Sequence, residues 1–427
     1  MPAAESPTVA APAPRRNRHF TAFWASQILS VFGDSFSQLA VPLLVLDLTG
    51  SVATAGLLTG VMGTTTVLTG LFAGVVVDRV NRSRLLVGCD VARMLLLAVI
   101  PIVTLAAGAP PIWLLFVLLP LASAIGMLFQ VAAVTAVRSL VGAAEVTKAN
   151  GRLYAGTALA SLLGPAAAGA ISGWIGPPAA IAVDAATFGV SAAFLLLVRL
   201  PARTPAAGAD PGRTRPWDEF LAGARFLFRH PVLRPLTGLL TVFILLTYGV
   251  DDVVVYHLRN GLDQPDGTIG LVLMAGAAGA MTGSLVVAAL RKRFGFGACW
   301  IGSVAVGGAA VASLSLTGGP VDVAALMGVY FCTTSVAGIC SMSLRQEVTP
   351  DHLLGRVTST FWTIHFSLGG VGAAGLTWLA QHHGARLAFV LAGGGALVVA
   401  GAALLTPVRR PVIGVSSGVS DSSERKA

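Results

Sequence analysis

Runs of apolar residues separated by short polar connectors repeat along almost the whole chain. A helix needs about 20 predominantly apolar residues to cross roughly 30 Å of hydrocarbon, so each run predicts a membrane-spanning helix. The pattern places spans near 20–44, 52–77, 85–107, 112–137, 150–174 and 178–199, then near 235–258, 267–290, 296–317, 322–344, 355–381 and 385–406. These runs are far longer than the roughly 10-residue strands of a membrane barrel, and they do not alternate apolar with polar positions. Backbone amides in lipid must be paired within the protein, which helices achieve span by span. The fold expected is therefore an all-α membrane protein of about twelve transmembrane helices. It divides into a tail 1–19, a six-helix bundle 20–199, a linker 200–234, a second six-helix bundle 235–406 and a tail 407–427.

Composition removes the soluble alternatives. Only 11% of residues are charged and 55% are apolar, with a mean hydropathy of +0.80. An ordinary soluble domain is roughly 25% charged. When connectors are numbered alternately inner and outer, all 28 Lys and Arg except Arg93, Arg259 and Arg386 fall on one side. Short cytoplasmic loops carry the basic excess, so both termini are expected in the cytoplasm. The net charge of +9 then follows from topology, and no nucleic-acid partner is implied. Cys89, Cys299, Cys332 and Cys340 all lie in apolar runs without metal-ligand spacing, so they read as small packing residues, with no disulfide framework and no metal. The first nineteen residues hold no apolar core or cleavage site and read as a cytoplasmic tail, and the Ser-rich end from Gly414 reads as disordered.

Inside the linker, Pro216 to Arg229 carries helix signals, with Pro at the start, Asp218 and Glu219 in the first turn and basic residues near the end. Trp217, Phe220, Leu221, Ala224 and Phe228 share one face, which predicts an amphipathic helix on the inner surface with its basic side toward anionic lipid. The two sets of spans also resemble each other. Val137-Arg138 with Asn150-Gly151-Arg152 matches Leu344-Arg345 with Leu354-Gly355-Arg356, and Thr69-Gly70 matches Thr282-Gly283. Phe32-Gly33-Asp34 matches Tyr248-Gly249-Val250-Asp251-Asp252. Matches in the same order and orientation point to a parallel duplication, the sign of a transporter whose halves rock about a central site.

Gly74, Asp78, Arg79, Arg82 and Arg84, between the second and third spans, resemble the signature loop of the major facilitator superfamily. The resemblance implies that this loop is a conformational latch with Asp78 as its acid. Gly156, Gly164-Pro165 and Gly169 in the fifth span look like the Gly-Pro signature of drug and metabolite antiporters, with Ala160 and Ala168 where that signature often has Gly. The fourth span lacks the mid-membrane Arg of many such antiporters. Trp24-Ala25-Ser26-Gln27, Ser30, Gly33-Asp34, Pro42-Leu43, Thr49-Gly50-Ser51, Asp78 to Arg82, Asp90, Arg93 and Asp184 with Thr187-Phe188 look like macrolide-efflux and enterobactin-exporter members. That likeness covers residues 18 to 408 and implies secondary active export of an amphipathic small molecule against protons across a bacterial plasma membrane.

Acids and bases inside spans are costly, about 2.5 to 3.5 kcal/mol at mid-membrane on insertion scales, and so mark candidate sites. Asp34, Asp251 and Asp252 are the proton-coupling candidates, because the resemblance puts the first and seventh spans along a central cavity. Adjacent helical residues are about 100° apart, so one of Asp251 and Asp252 is expected to face it. Asp90 and Arg93, three apart near the cytoplasmic end of one helix, are expected to form a local ion pair supporting the inner gate. Asp184 reads either as a structural cap or as a pathway group, Asp47 as solvated, and His365 as a residue satisfied by a neighbour or lining a cavity. No phosphate-binding loop, nucleophile elbow or paired His ligands appear, so neither an enzyme nor a cofactor is expected. An importer or uniporter of a nutrient, or a polytopic lipid-modifying protein, are the alternatives to an exporter.

Overall fold

The structure is a computed structural model that describes residues 18–141, 146–198 and 216–409. Every regular element among them is helical: α1 (Arg18–Thr49), α2 (Val52–Arg79), α3 (Arg82–Ala107), α4 (Ile112–Val141), α5 (Val146–Ile175), α6 (Pro177–Leu196), α7 (Pro216–Arg229), α8 (Leu233–Thr247), α9 (Val250–Tyr256), α10 (Asp266–Ser313), α11 (Pro320–Val348), α12 (Asp351–His383) and α13 (Ala385–Leu404). Among the described residues, 10 helical stretches are long and apolar enough to cross a membrane. Residues 1–17 and 410–427, the greater part of the two expected tails, and the linker before Pro216 lie outside the described residues.

Two departures from the expected spans have local causes. The stretch predicted as 235–258 is broken at Tyr248-Gly249, where α8 ends and α9 begins, and it closes in a π-helical turn, His257–Gly261. The stretches predicted as 267–290 and 296–317 form one element, α10, of 48 residues, interrupted at Gly295 with φ +78° and ψ 172°. A straight helix of that length would reach about 72 Å at 1.5 Å per residue. Instead Gly276, Gly279 and Gly283 on one side of Gly295, and Gly307 on the other, all lie against residues 328–333 of α11. The chain therefore folds back at Gly295, a backbone conformation that a side chain would strain.

The helices group into two units, residues 1–44 with 68–212, and residues 45–67 with 213–427. Unit 1 has its apolar core around Phe23, Leu86, Phe129, Ala132, Ala136 and Leu195. Within it α5 seats on α1 through small residues. A methyl at Gly156 would collide with Ile28, and one at Gly164 with Ser35. Pro165 lies inside the same helix, and Gly169 is buried. Gly156 and Gly164 thus work as a contact face, since small residues let helices approach closely.

In unit 2, Gly56, Gly60 and Gly63 form a stripe on α2. Gly56 lies against Thr377 and Gly60 against the Gly370 backbone. Within the expected linker, Pro216–Arg229 is helical and packs on α12, where Gly223 lies against the Arg356 carbonyl and Thr360. Leu227 is fully buried, whereas Leu221, Arg225, Phe228 and Arg229 are exposed. The four cysteines are unpaired, with Cys89, Cys299 and Cys340 buried.

Candidate functional site

Three helices of unit 1 carry polar stripes at helical spacing through otherwise apolar surroundings. They are Ser26, Ser30, Asp34 and Ser37 on α1, Asp90 and Arg93 on α3, and Asp184, Thr187 and Ser191 on α6. The stripes meet. Arg93 Nη2 pairs with Asp34 Oδ1, and its guanidinium carbon lies 3.8 Å from the centre of the Phe188 ring. The Arg93 side chain is 11% exposed and that of Asp34 36%. On the far side the guanidinium rests against Gly126 of α4, where a methyl would come within 3.4 Å of it.

The expected local pair of Asp90 with Arg93 is not the one formed. Asp90 is fully buried and its Oδ2 accepts from Ser191 Oγ at 2.5 Å. That hydroxyl also meets the Ser26 carbonyl at 3.2 Å. The short aspartate is thus held by α6, while the long arginine reaches across to α1. Asp184 is fully buried as well, and its Oδ2 accepts from Ser37 Oγ. Its Oδ1 sits over Gly33, where a methyl would stand 2.6 Å from it. Among the described residues, Asp90 Oδ1, Asp184 Oδ1 and Arg93 Nε have no hydrogen-bond partner. Asp184 therefore belongs to the same cluster as Asp34, which the sequence reading left open. The signal was present in the Asp184, Thr187 and Ser191 spacing, which puts all three on one face of α6.

Asp251 and Asp252 lie in unit 2, in the first turn of α9 just after the Tyr248-Gly249 break. Asp251 is exposed, whereas Asp252 is 7% exposed with Thr59 of α2 as its hydrogen-bonding neighbour. Asp47 is ion-paired rather than simply solvated, because Arg259 Nη2 lies 2.6 Å from its Oδ1, while Nη1 of the same guanidinium stands 3.6 Å from Asp266 Oδ1. His365 is fully buried and satisfied by the Phe361 carbonyl at 2.5 Å and Thr241 Oγ1 at 3.4 Å.

Arg345, a repeat match to Arg138 in the sequence, is one of the largest fully buried side chains. It donates to Ser341 Oγ at 3.1 Å, and its guanidinium carbon stands 3.4 Å from the centre of the Phe361 ring. Among the described residues no carboxylate forms an ion pair with it. A ring face stands in for the missing anion, as cation–π attraction permits.

Of the predicted latch, Gly74, Asp78 and Arg79 lie in the final turns of α2, and their side chains are outside the described set. Arg82 and Arg84 open α3, whose first turn is capped by Asn81 Oδ1 accepting from Ser83 N at 3.0 Å and Arg84 N at 3.2 Å. Among the described residues no group of three or more His, Cys, Asp or Glu is arranged to hold a metal.

Comparison with known proteins agrees with this architecture. The sequence profile of the Major Facilitator Superfamily matches residues 23–374. The multidrug efflux pump Tap of Mycobacterium tuberculosis is 25% identical over 383 residues, spanning 85% of this chain and 88% of that pump. The uncharacterized MFS-type transporter YfiS of Bacillus subtilis is 25% identical over 390 residues, 89% of this chain and 91% of YfiS. Among solved structures, the nucleoside transporter NupG superposes with a TM-score of 0.71 at 13% identity, covering 90% of this chain and 98% of that one. A bacterial homologue of the iron transporter ferroportin gives 0.69 at 17% identity, covering 92% and 99%.

Proposed function

Because the chain belongs to the major facilitator superfamily, we propose that it is a secondary active exporter of amphipathic small molecules, driven by proton entry across a bacterial plasma membrane. It is a transporter rather than an enzyme, with about twelve spans and both termini cytoplasmic. The observation that carries the coupling is the buried cluster of Asp34, Arg93, Asp90 and Asp184, three acids around one base. Intramembrane acids are expensive and are retained where protons or ions move. Asp34 is the member with both a charge partner and solvent exposure, which suits a group that exchanges protons with an aqueous path. Export is supported by the relation to Tap, a multidrug efflux pump. The likeness to NupG speaks for fold alone.

Cells making this protein should tolerate amphipathic antibiotics better than cells making Asp34→Asn at equal abundance. Everted vesicles should accumulate the same compounds on acidifying their lumen. Uptake favoured in right-side-out vesicles instead would support the importer reading. Arg225 and Arg229, on the exposed side of α7, are proposed to contact anionic lipid at the inner surface.

Topology is tested by single cysteines at Ser417 and Asp263 in a variant lacking Cys89, Cys299, Cys332 and Cys340. A membrane-impermeant maleimide added to intact cells should label position 263 and spare position 417. Labelling of both would contradict the proposed orientation.

The loop after α2 is proposed to act as a latch, with Asp78 as its acid and Arg79, Arg82 and Arg84 as its basic face. Asp78→Asn should insert and bind cargo near normally while turning over several-fold more slowly. Unchanged transport would remove Asp78 from the latch.

A further inference from the structure

Among the described residues of unit 1, three carboxylates gather around one cation. Asp34, Asp90 and Asp184 surround Arg93, and all four ionised would leave a net charge of −2 inside a helical bundle (three acids, one base). An uncompensated buried charge is costly, and an acid avoids that cost by taking a proton. The geometry distinguishes the three acids. Asp34 has the guanidinium and a side chain 36% exposed. Asp90 and Asp184 are 0% exposed, and each receives one serine hydroxyl on Oδ2 while Oδ1 meets no donor among the described residues. An ionised carboxylate only accepts hydrogen bonds, so one donor and an empty second oxygen fit the neutral acid far better than the anion.

Of these two acids, Asp184 is the one tied to the ion pair. Its hydroxyl donor, Ser37, stands one helical turn beyond Asp34, and its free Oδ1 lies over Gly33, the residue before Asp34. Asp90 instead is held by Ser191, which also meets Ser26. The charged groups around Asp184 are Asp34 from α1 and Arg93 from α3, and Asp90 of α3 reaches this set through Arg93. Among described side chains, α5 presents Arg152, which lies over the rings of Phe20 and Trp24, and the exposed Tyr154. Between Ile112 and Val134, α4 carries no titratable residue.

We propose that Asp184 carries the coupling proton in this state, and that Arg93 is shared alternately by Asp34 and Asp184. With Arg93 on ionised Asp34, the proton rests on an Asp184 oxygen. When the guanidinium shifts to Asp184, that oxygen gives up its proton and Asp34 takes one, so the trio holds the same charge before and after. The exposed Asp34 then releases its proton to water on one side of the membrane as Arg93 returns, and Asp184 takes its next proton from water admitted from the other side when the bundle changes state. One base exchanged between two acids keeps a single proton in transit. This assignment deepens the proton-coupled reading and rests on it for its role in transport.

Infrared difference spectroscopy of the full-length protein in lipid vesicles tests it without any cargo. At neutral pH the wild type should show the carbonyl stretch of protonated buried carboxylic acid, displaced in D2O. Asp184→Asn should remove one component, and Asp90→Asn should leave that component in place. Asp34→Asn frees Arg93 to pair with Asp184 and should diminish the same component. Asp184→Glu keeps an acid there and should shift the frequency without abolishing the band, which separates loss of the proton from loss of the fold. A band that is the same in wild type and Asp184→Asn would overturn the assignment. If the Asp184 component is present but wild-type transport ignores a pH gradient, the proton-coupled function fails while the protonation of Asp184 stands. If wild-type transport is pH-driven and Asp184→Asn keeps that drive, the exchange proposal alone fails.

Discussion

Asp34→Asn is expected to abolish the response of transport to a pH gradient while leaving exchange of cargo across the membrane intact. For one proton per cargo molecule, a gradient of one pH unit supplies about 1.4 kcal/mol, enough to concentrate cargo about tenfold. The variant should bring that ratio to about one. Asparagine keeps the size and a hydrogen-bonding oxygen toward Arg93, so the bundle should remain assembled. What disappears is the charge that holds Arg93 and the oxygen that trades a proton with water. Radiolabel or fluorescence accumulation in proteoliposomes, with and without the gradient, reads the effect. A variant that still concentrates cargo would move the coupling site elsewhere.

Arg93→Ala is expected to cost more stability than any acid substitution in the cluster. It leaves Asp34 without its charge partner beside the two buried acids Asp90 and Asp184, and leaves the Phe188 ring without its cation. Removing one partner of a buried ion pair typically costs about 3 to 5 kcal/mol. The loss here should fall toward the lower end, because Asp34 is partly exposed and is able to protonate. Thermal unfolding in detergent should drop clearly for Arg93→Ala. The double variant Arg93→Ala/Asp34→Asn should recover much of that drop, since the stranded charge is gone. Additive losses would mean that the two residues do not depend on each other.

The spans were legible because lipid imposes a simple rule on sequence. The expected 85–107 became α3, Arg82–Ala107, and the expected 322–344 became α11, Pro320–Val348. Both are runs bounded by charged or Gly/Pro connectors. The break at Tyr248-Gly249 was not legible, because a continuous apolar run carries no mark of where its hydrogen bonding is interrupted. The turn at Gly295 was placed as a connector, yet the helical geometry carries on into it from both sides and one glycine supplies the reversal.

The site was legible as a set of candidate residues and misread as pairings. Spacing along α3 suggested that Arg93 would turn to Asp90, whereas the arginine stem is long enough to reach α1. Which helix stands across from a given face is decided by packing of glycines such as Gly33 and Gly126, and one chain read in isolation does not display that. Arg345 escaped notice for a related reason, since its compensation is the Phe361 ring rather than an opposite charge at helical spacing.

The central claim is that proton entry drives export through the Asp34 and Arg93 cluster. The most direct measurement is the pH inside everted membrane vesicles, acidified by respiration, when an exported antibiotic from the tolerance assay is added. The account predicts that cargo enters as protons leave, seen as a rise in lumenal pH with the wild type and none with Asp34→Asn. Cargo accumulation without any change in lumenal pH, or equal changes in both proteins, would contradict it.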